Sequence, residues 1–169
     1  MESKIVFLSL GSNIDDRLAY LIKSTDSIRD TCGDVVALSA VYETEPWGFQ
    51  SNNSFLNQVI ALKTELSPSV LMEQLLKIEK QFGRERGLSN TYQSRTVDID
   101  ILYFDTMIIN TSLVSVPHPR LHLRKFVLVP LCEIAPDFIH PVFNCSNSEL
   151  LNKLSDSSAV RPFLFARKF

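Results

Sequence analysis

Short runs of strand-forming residues alternate in this chain with two stretches of helical period, and few folds accept the order in which they come. Ile5 to Leu10 is an apolar run of six residues closed by Gly11, Ser12 and Asn13. Asn13 can cap a following helix, with Asp15 and Asp16 in the first turn, where the helix dipole favours acids. Leu18, Leu21, Ile22, Thr25 and Ile28 then recur at helical spacing. Gly33 ends that helix, and "VVALSAVYET", from Val35 to Thr44, reads as a second strand. "FLNQVIALKT", from Phe55 to Thr64, is a third. Ser67, with Pro68 at the first helical position, opens a second helix through Leu71, Leu75, Ile78 and Phe82. A loop from Gly83 to Ser94 leads into a fourth strand, Thr96 to Phe104.

The order is βαββαβ, which is the ferredoxin-like pattern: an α+β fold with an antiparallel sheet backed by two helices. From Thr111 onward the signals are loop, short helices and a weakly structured tail, so the C-terminal part is expected to be an extension of short helices and loops. A chain of 169 residues suits one domain, residues 1–169, with its own hydrophobic core. The formal net charge of −2 gives no basic field that would draw the chain to nucleic acid or an acidic membrane surface. Three cysteines, odd in number and without C-x-x-C spacing, read as ordinary thiols of a reducing compartment. The first apolar run is too short to span a bilayer and no cleavage signal follows it, so a cytoplasmic, unanchored protein is expected.

The fourth strand carries the chemistry. "SRTVDIDILYFD" puts Asp98 and Asp100 on alternate positions of an otherwise apolar run. Residues i and i+2 of a strand share a face, roughly 7 Å apart along the backbone. Val97, Ile99 and Ile101 are therefore expected on the helix side, with the acids followed on their own face by Leu102 and Phe104. Two neighbouring carboxylates raise each other's proton affinity unless a cation lies between them. A hard divalent ion is the natural partner, since Mg²⁺ takes one or two carboxylates together with substrate phosphates. A solvated strand edge is the plain alternative, because D-x-D is common by chance. The neighbours tip the balance. Arg84, Arg86 and Arg95 bracket the preceding loop, and "PHPRLHLRKF" adds His118, Arg120, His122, Arg124 and Lys125 without one acid. Guanidinium clusters recognise phosphate oxygens, and an acidic metal site flanked by arginines is the constellation of phosphoryl transfer from a nucleotide. No G-x-x-x-x-G-K-[ST] loop is present. An RNA-binding βαββαβ module would need basic and aromatic residues on the open sheet, where the two aspartates stand instead.

"RTVDID" followed by "IL", with "LGSN", "FLNQVIAL", "IEKQFGR" and "VPHPRLHLRKFVLVPLCEIAP" in that order, resembles the 6-hydroxymethyl-7,8-dihydropterin pyrophosphokinases of folate biosynthesis. The resemblance covers the chain from Ile5 to about Pro136. It implies transfer of a pyrophosphoryl unit from ATP to the pterin hydroxymethyl oxygen, with AMP released and two Mg²⁺ ions held by Asp98 and Asp100. It implies phosphate contacts from Arg84 and Arg95, with Arg86 and Tyr92 in the same loop on the nucleotide side. Glu79, His118 and Arg124 would be further ATP-side residues. Phe55 and Phe126 would sandwich the pterin ring, and Asn57, with groups near Thr44 and Trp47, would meet its edge. The chain departs from the family pattern at Thr91, Tyr92 and Gln93, and Phe55 stands where a Tyr is common. The expected partners are small-molecule substrates only, with no nucleic acid and no membrane, and the chain is expected to be a monomer.

Overall fold

A computed structural model describes residues 2–45, 53–83 and 96–165. Its elements in chain order are β1 (Lys4–Ser12), α1 (Arg17–Thr31), β2 (Asp34–Leu38), β3 (Tyr42–Thr44), β4 (Phe55–Thr64), α2 (Pro68–Gln81) and β5 (Asp98–Phe104). There follow β6 (Ile109–Asn110), β7 (Ser115–Val116), a 3₁₀ turn (Leu121–Leu123), α3 (Lys125–Ile134), α4 (Asn147–Lys153) and β8 (Val160–Pro162). The class is α+β. The main sheet runs β5-β1-β4-β3-β8, β2 also pairs with β4, and every pairing in it is antiparallel.

The helices form where their caps and apolar spacing direct, with one correction. Asn13 does not cap α1. The cap is Asp16, whose Oδ1 accepts from the Ala19 N–H at 3.0 Å, and Asn13 is wholly buried beyond the end of β1. A cap at Asp16 places Leu21, Thr25 and Ile28 on the sheet. The helix ends at Thr31 and the chain reverses through Gly33 at φ 141°, where a β-carbon would stand 2.3 Å from the Lys63 carbonyl oxygen. Only glycine fits that approach. Ser67 caps α2 with Pro68 in its first turn, and Leu71, Leu75 and Ile78 are buried as the spacing requires.

Two strands differ from the sequence reading. The second strand is split into β2 and β3, both on β4. Ser39 explains the break: its hydroxyl accepts from the Val59 N–H and donates to the Ala40 carbonyl, so a side chain takes over part of the ladder. In β5 the register against β1 shifts between Leu8 and Phe7, so that Ile101 faces Leu8 while Tyr103 faces Phe7. The extra residue of this bulge reverses the alternation. Leu102 and Tyr103 lie on the aspartate face, and Phe104, expected there, packs with the helices instead.

Both faces of the sheet are covered, but not over the same length. Val6, Leu8, Leu10, Leu56, Ile60, Leu62, Val97, Ile99 and Ile101 meet α1 and α2 on one side. On the other, Phe7, Val59, Ala61, Leu102 and Tyr103 meet Leu121, Val127, Leu128 and Leu131 of the C-terminal segment. Among the described residues, that second cluster takes in no side chain from the end of β1 or the start of β5. The tail is more ordered than the sequence suggested, since β8 pairs with β3 from Thr44–Val160 to Tyr42–Pro162. The three cysteines are unpaired, and burial raises the thiol pKa of Cys32 and lifts that of Cys132 to about 11.

Candidate active site

Polar residues collect at the end of the sheet where β1 finishes and β5 begins. Antiparallel register puts Asp98 of β5 opposite Gly11 of β1, Gly11 opposite Asn57 of β4, and Asn57 opposite Tyr42 of β3. The next row inward is Asp100, Ser9 and Val59. Residues directly opposite share a face, so the first row sets a carboxylate, a gap and a carboxamide side by side. The gap is narrow. A β-carbon at Gly11 would come 3.3 Å from Asp98 Oδ1, 3.4 Å from Asn57 Oδ1 and 3.7 Å from the Phe55 ring.

Each side chain is placed by its element. β5 is an edge strand, and its Ile99 N–H, between the two aspartates, is donated to Glu79 Oε1 of α2 at 2.8 Å. Glu79 is only 2% exposed, so its carboxylate holds the start of β5 from within the protein. Asn57 donates from Nδ2 to the Thr44 hydroxyl at 2.7 Å, and both are buried. Phe126, second residue of α3, is half-buried against the second core layer, with the Arg124 guanidinium 5.7 Å from its ring centre.

Asp100 gathers the basic residues. Arg124 Nη1 lies 3.7 Å and His118 Nε2 3.8 Å from its Oδ2. The His118 Nδ1 accepts from the Arg120 N–H at 3.1 Å, which leaves the ring proton on Nε2, toward Asp100. Burial, and then the positive charges of Arg124 and Arg120, push the imidazole pKa down to about 4 against the opposing pull of Asp98. At neutral pH His118 is therefore a neutral donor and Arg124 the cation of this group. Asp98, Asp100, His118 and Arg124 are brought together, and Asn57, Thr44 and Phe55 are brought to the other side of Gly11. Trp47, Arg84, Arg86, Tyr92 and Arg95 lie outside the described residues.

The donor set suits Mg²⁺. Asp98 and Asp100 offer hard oxygens on one face, and the missing side chain at Gly11 leaves room beside Asp98 Oδ1. Among the described residues no group of three His, Cys, Asp or Glu side chains could cage an ion unaided. An ion held here takes its remaining ligands from elsewhere, as Mg²⁺ does from phosphates and water. Two more residues of this row, Gly11 and Tyr42, are not among the site candidates the sequence offers. Gly11 closes a strand run and falls within the "LGSN" of the family resemblance, and a glycine inside a strand pattern marks a close approach. Tyr42 shares the row, and its hydroxyl donates to Glu133 of α3 at 2.8 Å; burial, with the Glu133 carboxylate, lifts its pKa to about 12.

Paired carboxylates at this end of an α+β sheet, with arginine and histidine against one of them, are a donor set suited to a metal-assisted phosphoryl-transfer enzyme. The chain belongs to the 7,8-dihydro-6-hydroxymethylpterin-pyrophosphokinase family, whose model matches residues 7–136. It is 37% identical over 158 residues to the 2-amino-4-hydroxy-6-hydroxymethyldihydropteridine pyrophosphokinase of Aquifex aeolicus, covering 94% of both chains. To the enzyme of that name from Bacillus subtilis it is 40% identical over 133 residues, covering 78% of both. Among solved structures, an HPPK-DHPS in complex with substrates superposes with a TM-score of 0.73 at 14% identity, over 90% of this chain and 43% of that one. Wild-type Plasmodium falciparum HPPK-DHPS gives a TM-score of 0.70 at 19% identity, over 90% and 45%. This chain spans under half the length of those two, and the likeness to them concerns the fold.

Proposed function

We propose that this chain transfers the pyrophosphoryl group of ATP to the hydroxymethyl oxygen of 6-hydroxymethyl-7,8-dihydropterin, forming the pterin diphosphate and AMP in folate biosynthesis. The observation that supports this reading best is the row Asp98–Gly11–Asn57, in which a carboxylate that would meet the phosphates and a carboxamide that would meet the pterin flank one narrow gap. The hydroxymethyl oxygen bonds to the β-phosphorus, the bond from that phosphorus to the α–β bridging oxygen breaks, and AMP leaves with the electron pair. The alcohol proton is lost to solvent.

Asp98 and Asp100 would hold two Mg²⁺ ions, which when bound neutralise phosphate charge and lower the pKa of an alcohol. Arg124 sets its charge beside Asp100, where the phosphates would lie, and neutral His118 offers its Nε2 proton there. In this reading Arg84 and Arg95 hold the phosphates, with Arg86, Tyr92 and Glu79 on the nucleotide side. Phe55 and Phe126 stack on the pterin, a geometry aromatic rings favour. Asn57, oriented by Thr44, meets the pterin edge together with groups near Trp47.

The strand order β5-β1-β4, with β2 and β3 beyond it, supports the ferredoxin-like class within α+β. Among the described residues no helix is long and apolar enough to cross a membrane. Residues 1–169 act in this reading as one domain, and the protein as a cytoplasmic monomer. The test is to incubate the protein with ATP, Mg²⁺ and the pterin and separate the nucleotides. AMP released only in the presence of pterin is expected. ADP, or AMP formed equally without pterin, would overturn the reading.

A further inference from the structure

We propose that Arg17 is a positioning residue for the pterin side of this site, tying the start of α1 and the C-terminal strand β8 to the residue that leads into Phe55. The inference rests on the functional reading above for the identity of the ligand. Its geometry is independent of that reading. Arg17 Nη1 donates to both the carbonyl oxygen and the hydroxyl of Ser54, each at 2.9 Å, and lies 2.8 Å from Glu43 Oε2. The guanidinium also sits over the Phe163 ring, 5.8 Å from its centre.

These partners come from three places in the chain. Ser54 immediately precedes Phe55, whose ring lines the gap at Gly11. Glu43 lies on β3, between Tyr42 and Thr44, and Thr44 orients Asn57. Phe163 follows β8, is fixed by its N–H to the Val41 carbonyl at 2.8 Å, and packs with Phe165 on the helix-side core. One planar group therefore joins the chain entering β4, the strand beside it, and the tail. A guanidinium is suited to this: it presents several donors in a plane and stacks on an aromatic face, which an ammonium does not.

The side chains of Arg17 and Glu43 are both partly exposed, at 25% and 39%. Exposed ion pairs contribute little to global stability. The consequence of losing Arg17 is thus local, a looser Ser54–Phe55 and β3, rather than an unfolded chain. The tail also gains a role that sequence patterns hid. It lies beyond residue 136, where the match to the family model ends, yet it supplies the face on which Arg17 rests.

The experiment compares wild type, Arg17→Met and Phe163→Leu by steady-state kinetics for both substrates, by equilibrium dialysis of the pterin, and by thermal melting. Methionine keeps an apolar stem on Phe163 and removes every donor. The KM and Kd for pterin should rise about tenfold in Arg17→Met, equivalent to about 1.4 kcal/mol. The value of kcat, the KM for ATP and the melting temperature should stay close to wild type. Phe163→Leu should shift the pterin terms in the same direction by less. Unchanged pterin affinity in Arg17→Met, or an equal loss of ATP affinity, would overturn the proposal. Wild type that neither binds pterin nor releases AMP would instead overturn the functional reading on which it rests.

Discussion

Gly11 separates Asp98 from Asn57 in the row across β5, β1 and β4, and a methyl group there would crowd both side-chain oxygens, at 3.3 and 3.4 Å. Neither oxygen is the far end of a long flexible side chain, and Asn57 is further held by Thr44. Gly11→Ala should therefore leave the fold and its melting temperature nearly unchanged while catalytic efficiency drops by about tenfold or more, over 1.4 kcal/mol of transition-state stabilisation. Kinetics paired with a melting curve checks this, and an alanine variant as active as wild type would mean that the gap is not used. At this scale the shared face of Asp98 and Asp100 was legible, because alternation in a strand puts residues i and i+2 on one side. Gly11 was not, since its meaning appears only once Asp98 and Asn57 are known to flank it. Their register depends on contacts 46 or more residues away in the chain.

Elements were legible where local signals and tertiary demands agreed. Ser67 and Pro68 start α2, and Leu71, Leu75 and Ile78 bury its face, as the spacing requires. They were not legible where a side chain or neighbour overrode the local pattern: Ser39 interrupts a run that reads as one strand, a bulge turns Phe104 to the opposite face, and β8 forms because β3 offers it an edge. The start of β5 depends on α2 in a way that tests the element as a unit. Glu79→Ala would leave the buried Ile99 N–H without this acceptor, a loss of roughly 1–3 kcal/mol. Its unfolding midpoint in urea should fall accordingly. Its turnover should fall further than stability alone explains, because both aspartates flank Ile99. Glu79→Gln retains an acceptor oxygen and should recover most of the stability. A Glu79→Ala variant with wild-type stability would show that α2 does not hold the strand.

For the whole molecule, the C-terminal layer packs on one face of the sheet, and its own stability depends on pH. His140 is 3% exposed, its Nδ1 accepts from the Val142 and Phe143 N–H groups, and its ring stacks on Phe143 with Tyr103 at its edge. Burial, and then the neighbouring His122, push its pKa down to about 4. The folded state thus resists a proton that the unfolded chain accepts near 6.5, so this contribution is whole above that pH and is lost as pH falls toward 4. The loss reaches at most about 3 kcal/mol. The difference in stability between wild type and His140→Asn, measured from pH 7.5 to 4, should shrink through that window; a flat difference would contradict the account of this layer.

The central claim is that the start of β5 holds metal and ATP together through Asp98 and Asp100. Calorimetric titration of a non-hydrolysable ATP analogue into wild type, Asp98→Ala and Asp100→Ala, with and without Mg²⁺, tests it most directly. The account predicts binding by wild type that requires Mg²⁺, and loss of that dependence in either variant at an unchanged melting temperature. Equal binding with and without Mg²⁺, or Mg²⁺-dependent binding that survives both substitutions, would contradict it.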